Sequence, residues 1–255
     1  MGFLSKLIHM LFALAVLLSA AGSMAEEKQR AVDTHVQSAV SSQPKDEAQV
    51  SAPPSVRKRV EFKDGKDFFS YRDPIALKKQ AGDKRIDISL FFTYECPYCS
   101  TAYDNLILYQ RLHDDEIKLN LYPVATSTAL FSANVYNGLV AMQHEELAKL
   151  LIFDSAVNQG KTSLVEAKNL YTWLIEHAIS PDAFLSVLRS EQIAHQAQEA
   201  VERTELYGVF TVPFVVINGE YVLTRSTLYN DDYTFAVLDY LISHILTHNT
   251  EQGQP

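Results

Sequence analysis

Cysteine is almost absent from this chain. Two occur among 255 residues, Cys96 and Cys99, a scarcity that excludes a disulfide-stapled scaffold and a four-cysteine zinc site. Positive charge is also scarce: 22 Lys and Arg stand against 31 Asp and Glu, a formal net charge of −9. Nucleic acid is thereby disfavoured as the main partner, because phosphate binding needs clustered cations. No internal repeat is visible. The one long apolar run, Leu7 to Ala21, falls short of the ~20 residues that cross a bilayer. What remains is ordinary, 47% hydrophobic and 21% charged residues. That composition supports a buried core in one large domain or two small ones.

The apolar run reads better as part of a secretory signal peptide. Lys6 precedes it, and Ser23-Met24-Ala25 places small residues at the −3 and −1 positions of a cleavage site, so residues 1–25 are expected to be removed near Ala25. No cysteine follows the run, which excludes a lipid-modified cysteine anchor. Residues 26–59 contain no Phe, Trp or Tyr and are rich in Ser, Gln, Ala and Pro. Such a segment buries too little apolar area to offset the entropy of ordering it, so it reads as a flexible linker or N-terminal extension. Ala31 to Val40 is a short helix candidate and the one place for a dimerising arm. An exported chain meets an oxidising compartment, where two cysteines are either bonded to each other or at work.

From Val60 the pattern changes. Val60-Glu61-Phe62 is a short strand candidate, and Asp64-Gly65 turns the chain. Ile86 to Thr93, β-branched and aromatic, predicts a buried strand. Pro97 to His113 has helical spacing, with Ala102, Leu106 and Tyr109 on one face flanked by Tyr103 and Leu112. Glu116 to Val124 alternates Ile117, Leu119 and Leu121 on one face, a strand period. Strand, helix, strand in that order predicts two adjacent parallel strands. A helical region follows over about 126–206. Ser163 with Glu166 predicts a capping box, Ser180-Pro181 a helix start with Pro at the first position. Leu164, Ala167, Leu170, Tyr171, Leu174 and Ile175 predict an apolar face, with Trp173 as core. After Gly208, Val212 to Ile217 and Glu220 to Leu223 predict a hairpin about Asn218-Gly219. A last amphipathic helix, Asp231 to His248, carries Phe235, Leu238, Leu241, Ile242 and Ile245 on one side. Together these elements make an α/β fold with an inserted helical subdomain.

The chemistry lies in Cys96-Pro97-Tyr98-Cys99, where a strand ends and a helix begins. Backbone N–H groups and the dipole at a helix N-terminus favour a thiolate at the first sulfur. Cys99, one turn on, is placed to bond Cys96 or to resolve a mixed disulfide formed there. Two alternatives weigh less. Half a zinc site would need two more ligands, and His113, His144, His177 and His195 are scattered over predicted helices, so no metal is expected. An inert structural disulfide closing so small a loop would stabilise little.

Around this motif the chain resembles a known family. FKDGKDFFSYRDP (62–74), FFTYECPYC (91–99) and GVFTVPFVVINGEYVL (208–223) are similar to the DsbA family of exported thiol:disulfide oxidoreductases, in the thioredoxin superfamily. The likeness runs from about Val60 to His248. It implies a thioredoxin-like domain over 60–250 with the helical insert at 126–206. It implies that Cys96 and Cys99 are the catalytic pair and form a redox-active disulfide in place of any cofactor. Pro97 and Tyr98 complete the active-site motif. The resemblance further implies a cis Pro213 beside the pair, with the peptide groups of Val212 and Pro213 binding an extended substrate chain. Reduced exported polypeptides are the implied substrates, a DsbB-type membrane oxidase the implied recycling partner, and the periplasm the implied compartment. A monomer is expected, with a dimer open through 26–59.

Three departures bear on function. Many members have His where this chain has Tyr98, and Tyr carries no positive charge, so a milder oxidant is expected. Many bury a Glu where this chain has Leu90. Glu95, beside Cys96, is either a partial substitute for that acid or a plain surface carboxylate. The extension 26–59 is longer than the simplest members need. The leading expectation is an exported dithiol oxidase. A dimeric disulfide isomerase or reductase, a non-catalytic peptide-binding module and a glutathione-dependent enzyme on the same fold stand behind it.

Overall fold

The fold is organised by β2, Ile86–Phe92, a central strand with six of its seven residues buried. A computed structural model describes residues 61–158 and 163–252, with side chains to 248. The expected signal peptide, the extension 26–59 and the helix candidate Ala31 to Val40 lie outside the described residues. Alternation along β2 puts two apolar faces to work. Ile86, Ile88, Leu90 and Phe92 enter the main core, while Phe91 joins Tyr207, Phe214, Val216 and Val222 on the other side.

The chain first forms β1, Phe69–Ser70. Of the strand predicted at Val60-Glu61-Phe62, Val60 lies outside the described residues, and Glu61 and Phe62 form no strand. Phe62 instead packs its ring on Tyr233 and Tyr240, at centroid distances of 6.1 and 5.6 Å. Asp64-Gly65 does turn the chain, with the Gly65 N–H donating to the Phe68 carbonyl. After β2 come α1, Cys99–Leu112, and β3, Ile117–Pro123. β3 lies parallel to β2 in the register Ile86 to Ile117 through Phe92 to Pro123, as the strand–helix–strand order predicts. β4, Phe214–Ile217, and β5, Tyr221–Thr224, form the expected hairpin. Asn218 and Gly219 take φ of 52° and 72°, the paired positive values of a type I′ turn. β4 starts two residues later than Val212 because Pro213 has no N–H for a ladder. The sheet order is β1-β5-β4-β2-β3, with β4 antiparallel to β2 and β1 antiparallel to β5.

Between β3 and β4 sit α2 (Phe131–Ala141), α3 (Glu145–Val157), α4 (Ala167–Glu176), α5 (Pro181–Leu188) and α6 (Glu191–Leu206). Ser180 caps α5 by accepting from the Ala183 N–H, with Pro181 at its first position. The predicted capping box is absent. α4 begins after Glu166 with no side-chain cap, and the Ser163 carbonyl accepts from Glu166 N–H and Asn169 Nδ2. Its buried stripe is Leu170, Trp173 and Leu174, with Trp173 Nε1 donating to Asp154 at 2.8 Å. Ile175 is 63% exposed and Ala167 is exposed too; both were expected on that face. Leu112, at the frayed end of α1, is likewise 64% exposed.

Two more helices close the chain, α7 (Arg225–Leu228) and α8 (Asp231–Gln252). α8 buries Val237, Leu238, Leu241, Ile242 and Ile245. None of the helices among the described residues is long and apolar enough to cross a membrane. The buried Asp67 braces this end of the fold. Its carboxylate accepts from Tyr233 OH at 2.6 Å and from Lys63 N–H at 2.8 Å, and its carbonyl accepts from Thr227 Oγ1. The Tyr233 hydroxyl, then the Lys63 N–H, hold the Asp67 carboxyl below its ordinary 3.8. A depressed carboxyl stabilises the fold fully above that ordinary value and loses its contribution as pH falls through the lowered one. Asp67→Asn is therefore expected to flatten the acid limb of stability below about pH 4. Urea unfolding across that limb checks it; an unchanged slope removes Asp67 from the account.

Candidate active site

Phe92 ends β2, and the next three residues carry the chain to Cys96. That loop is tied to the helical insert. Tyr94 N–H donates to Ser132 Oγ at 2.9 Å, Ser132 Oγ donates to Glu95 at 2.8 Å, and Tyr94 OH donates to the Ala148 carbonyl at 2.9 Å. Glu95 is thus an exposed carboxylate held by a serine. No side chain at Leu90 replaces the family acid; Leu90 is wholly buried, opposite Leu121 and Val215.

The two cysteines are both free and unequal. Cys96 is 7% exposed and Cys99 is 0% exposed. α1 begins at Cys99 rather than Pro97, so Cys96 stands just outside the helix. It is linked to the helix by the Cys99 N–H donating to its carbonyl at 3.3 Å. The Cys96 thiol is held below its ordinary pKa. The Cys99 thiol donating to its sulfur contributes most, the backbone N–H groups of Tyr98 and Cys99 add to this, and Arg225 adds a positive charge; burial opposes all of these. Cys99 is pushed far up, by burial first, then by its hydrogen bond to Cys96 and by the Cys96 charge. The helix-terminus expectation holds in direction, but the sulfur of Cys99 leads it.

Pro97 and Tyr98 are both exposed at the surface. The Val212-Pro213 peptide bond is cis and immediately precedes β4, whose Phe214 pairs with Phe91 of β2. Pro213 and Tyr98 line one cleft of about 140 Å³ with Thr101, Arg225, Leu228 and Tyr229. Val212 packs against the main core, which includes both cysteines. The sequence-predicted residues are therefore gathered at one end of the sheet.

Three residues at this site escaped the sequence reading. Arg225 places its guanidinium carbon 3.4 Å from the Tyr98 ring centroid. Asn105, buried on α1, donates to the Leu228 carbonyl at 3.2 Å and joins α1 to α7. Ser132 fixes the loop before Cys96. Nothing in their spacing marks them, since each acts across a long sequence separation. Among the described residues no three His, Cys, Asp or Glu side chains gather as a metal-ligand set.

No family model matches the chain. It is 42% identical over 189 residues to an uncharacterized protein of Haemophilus influenzae, covering 74% of this chain and 80% of that one. It is 27% identical over 164 residues to the thiol:disulfide interchange protein DsbA of Azotobacter vinelandii, covering 62% of this chain and 74% of the relative. Among solved structures, Pseudomonas aeruginosa DsbA superposes with a TM-score of 0.60 at 19% identity, covering 74% of this chain and 97% of that one. The oxidoreductase NmDsbA1 of N. meningitidis superposes with a TM-score of 0.59 at 23% identity, covering 73% and 95%.

Proposed function

The chain belongs to the DsbA family of thiol:disulfide oxidoreductases in the thioredoxin superfamily, and from that premise we propose that it is an exported dithiol oxidase. The observation that carries this reading is the asymmetry of the cysteine pair. Cys96 is the outer sulfur with a stabilised thiolate, and Cys99 is the sealed sulfur whose thiol is favoured.

That asymmetry fits one direction of exchange. A substrate thiolate attacks Cys96 Sγ of the enzyme disulfide, the S–S bond breaks, and its electron pair passes to Cys99, which takes up a proton. A second substrate thiolate then attacks the substrate sulfur of the mixed disulfide, and Cys96 leaves as a thiolate. The substrate gains a disulfide and loses two electrons; the enzyme is left with both thiols free. A low-pKa leaving thiol speeds the second displacement. Only the two sulfurs take part, so the step needs no bound cofactor. Reduced exported polypeptides are the substrates in this reading. The cis Pro213 and Val212 at the edge of the Tyr98 cleft are where they bind, and a DsbB-type membrane oxidase restores the disulfide. The leader-like residues 1–25 support action in the periplasm.

Cys99→Ala tests it. Without Cys99 no intramolecular thiol competes for the mixed disulfide, so substrates and the recycling oxidase accumulate as adducts on Cys96. Non-reducing gels of the native host expressing the full chain are expected to show them. If no adducts form, the oxidase reading falls.

A further inference from the structure

Arg225 is delivered to the active site by a braced element. It directly follows Thr224, which pairs with Phe214 beside Pro213, and it opens α7. Three buried contacts hold α7 in place: Thr227 Oγ1 to the Asp67 carbonyl at 2.7 Å, Thr234 Oγ1 to the Thr227 carbonyl at 2.7 Å, and Asn105 Nδ2 to the Leu228 carbonyl at 3.2 Å. The last contact joins α7 to α1, whose first residue is Cys99. The guanidinium is thus fixed relative to the cysteine pair, and it sits on the Tyr98 ring at 3.4 Å. A planar guanidinium matches an aromatic face in a way that an ammonium does not.

The charge around the pair is otherwise unfavourable to a thiolate. Glu95, next to Cys96 in the chain, is an exposed carboxylate held by Ser132. Tyr98 is neutral, and Cys99 gives a hydrogen bond but no charge. Among the described residues no carboxylate pairs with Arg225. A guanidinium paired with a carboxylate would present little net field; this one is stacked on the ring of Tyr98, two residues from Cys96, in the cleft that Pro213 also lines.

We propose that Arg225, seated on Tyr98, supplies the positive charge that offsets the Cys96 thiolate and so sets the oxidising strength of the disulfide. Tyr98 is then the positioning residue, a platform holding the cation where many relatives carry a histidine. The charge does its work in the second displacement, when the electron pair of the breaking mixed disulfide arrives on Cys96 Sγ. It favours the reduced, thiolate form over the disulfide, which carries no charge to be stabilised. The milder couple expected from Tyr98 alone is therefore offset by a cation from another element. The inference rests on the reading of Cys96 as the reactive sulfur.

The test uses the full mature chain. Arg225→Gln is expected to raise the pH at which the reduced Cys96 ionises, read by thiolate absorbance. It is also expected to move the glutathione equilibrium roughly three- to tenfold toward the enzyme disulfide, the size of a single nearby charge in a partly screened site. A tenfold change corresponds to about 30 mV. Arg225→Lys keeps the charge but gives up the planar fit to Tyr98, and should recover part of the shift. A Gln variant that titrates like the parent overturns the proposal, and so does a Lys variant that behaves like Gln. Should Gln impair folding, Tyr98→Leu carries the test. It removes the platform but not the charge and is expected to shift the same way by less; no shift overturns the idea. Thiolate titration needs no substrate. A chain that oxidises no peptide yet keeps an Arg225-dependent Cys96 loses the oxidase reading and keeps this one. Peptide oxidation with a Cys96 indifferent to Arg225 does the reverse.

Discussion

Cys96→Ser abolishes dithiol oxidation, leaving only the rate of the uncatalysed reaction. A serine hydroxyl forms no S–S bond, so the enzyme disulfide that accepts the electrons does not exist. Cys99 offers no substitute. It is 0% exposed, and burial with the neighbouring Cys96 sulfur keeps it as a thiol. An ordinary cysteine is only a few per cent thiolate at neutral pH, and this one is well below that. Even a thiol that reached a substrate would lack a partner to complete the two-electron exchange. Oxidation of a reduced two-cysteine peptide, followed by alkylation and mass spectrometry, is the measurement. Sustained turnover by the serine variant would show that oxidation does not run through Cys96 and would overturn the exchange mechanism, whereas a parent chain that itself oxidises no peptide would belong to the non-catalytic peptide-binding class. The fold itself is expected to survive, because Cys96 lies outside β2 and α1, its backbone hydrogen bonds to Thr93 and Cys99 are untouched, and a serine oxygen can still accept from the N–H groups that face the sulfur.

The same asymmetry predicts the order of reaction with an alkylating agent. Cys96 reacts first, because it is both the more exposed sulfur and the more ionised one. Neither property alone is enough to fix that order. An exposed thiol with an ordinary pKa reacts slowly at neutral pH, and a buried thiolate is out of reach.

Local signals were legible in the sequence, and contacts between distant segments were not. The buried strand Ile86–Phe92 announces itself by β-branched and aromatic residues, Asn218-Gly219 by turn chemistry, and Ser180-Pro181 by capping. Each depends on neighbours within a few residues. The errors share a cause. Glu61-Phe62 has strand-like composition, but Phe62 finds its partners on α8, two rings from the other end of the chain. Ser163 with Glu166 matches a capping box, yet Asn169 takes the Ser163 carbonyl and the helix starts later. Ile175 and Leu112 have the right helical phase and are left exposed at helix ends, where no neighbour covers them. At the active site the motif named the sulfurs. The charge beside them comes from Arg225, after the hairpin, and no periodicity connects position 225 to position 98. Leu90 was legible as a departure from the family, since an apolar residue in a buried strand has nowhere to put a proton.

Gly219→Ala is expected to cost about 2–4 kcal/mol, far more than the same change at another left-handed glycine. Two effects add at this position. Gly219 has a φ of +72°, where an L-residue pays about 1–2 kcal/mol. Its would-be Cβ also falls on backbone, 2.3 Å from the Ile75 carbonyl oxygen. That approach is built in, because the Ile75 N–H donates to the Gly219 carbonyl at 2.8 Å and binds the segment before β2 across the hairpin turn. A methyl group there must push the two strands of backbone apart and break that bond. Gly65 separates the two effects. It has a φ of +79° with nothing within 4 Å of its would-be Cβ, so Gly65→Ala is expected to lose only the conformational part. Urea unfolding of the two variants gives the difference directly, and equal losses would show that the contact with Ile75 relaxes freely. The turn lies at the end of β4 away from Pro213, since Ile217 pairs with Ile88 and Phe214 with Phe91. Thiol exchange by the folded Gly219→Ala fraction should therefore keep its parent rate, with the loss read in the fraction folded. A fall in that intrinsic rate would mean that strain at the turn travels along β4 to the cysteines.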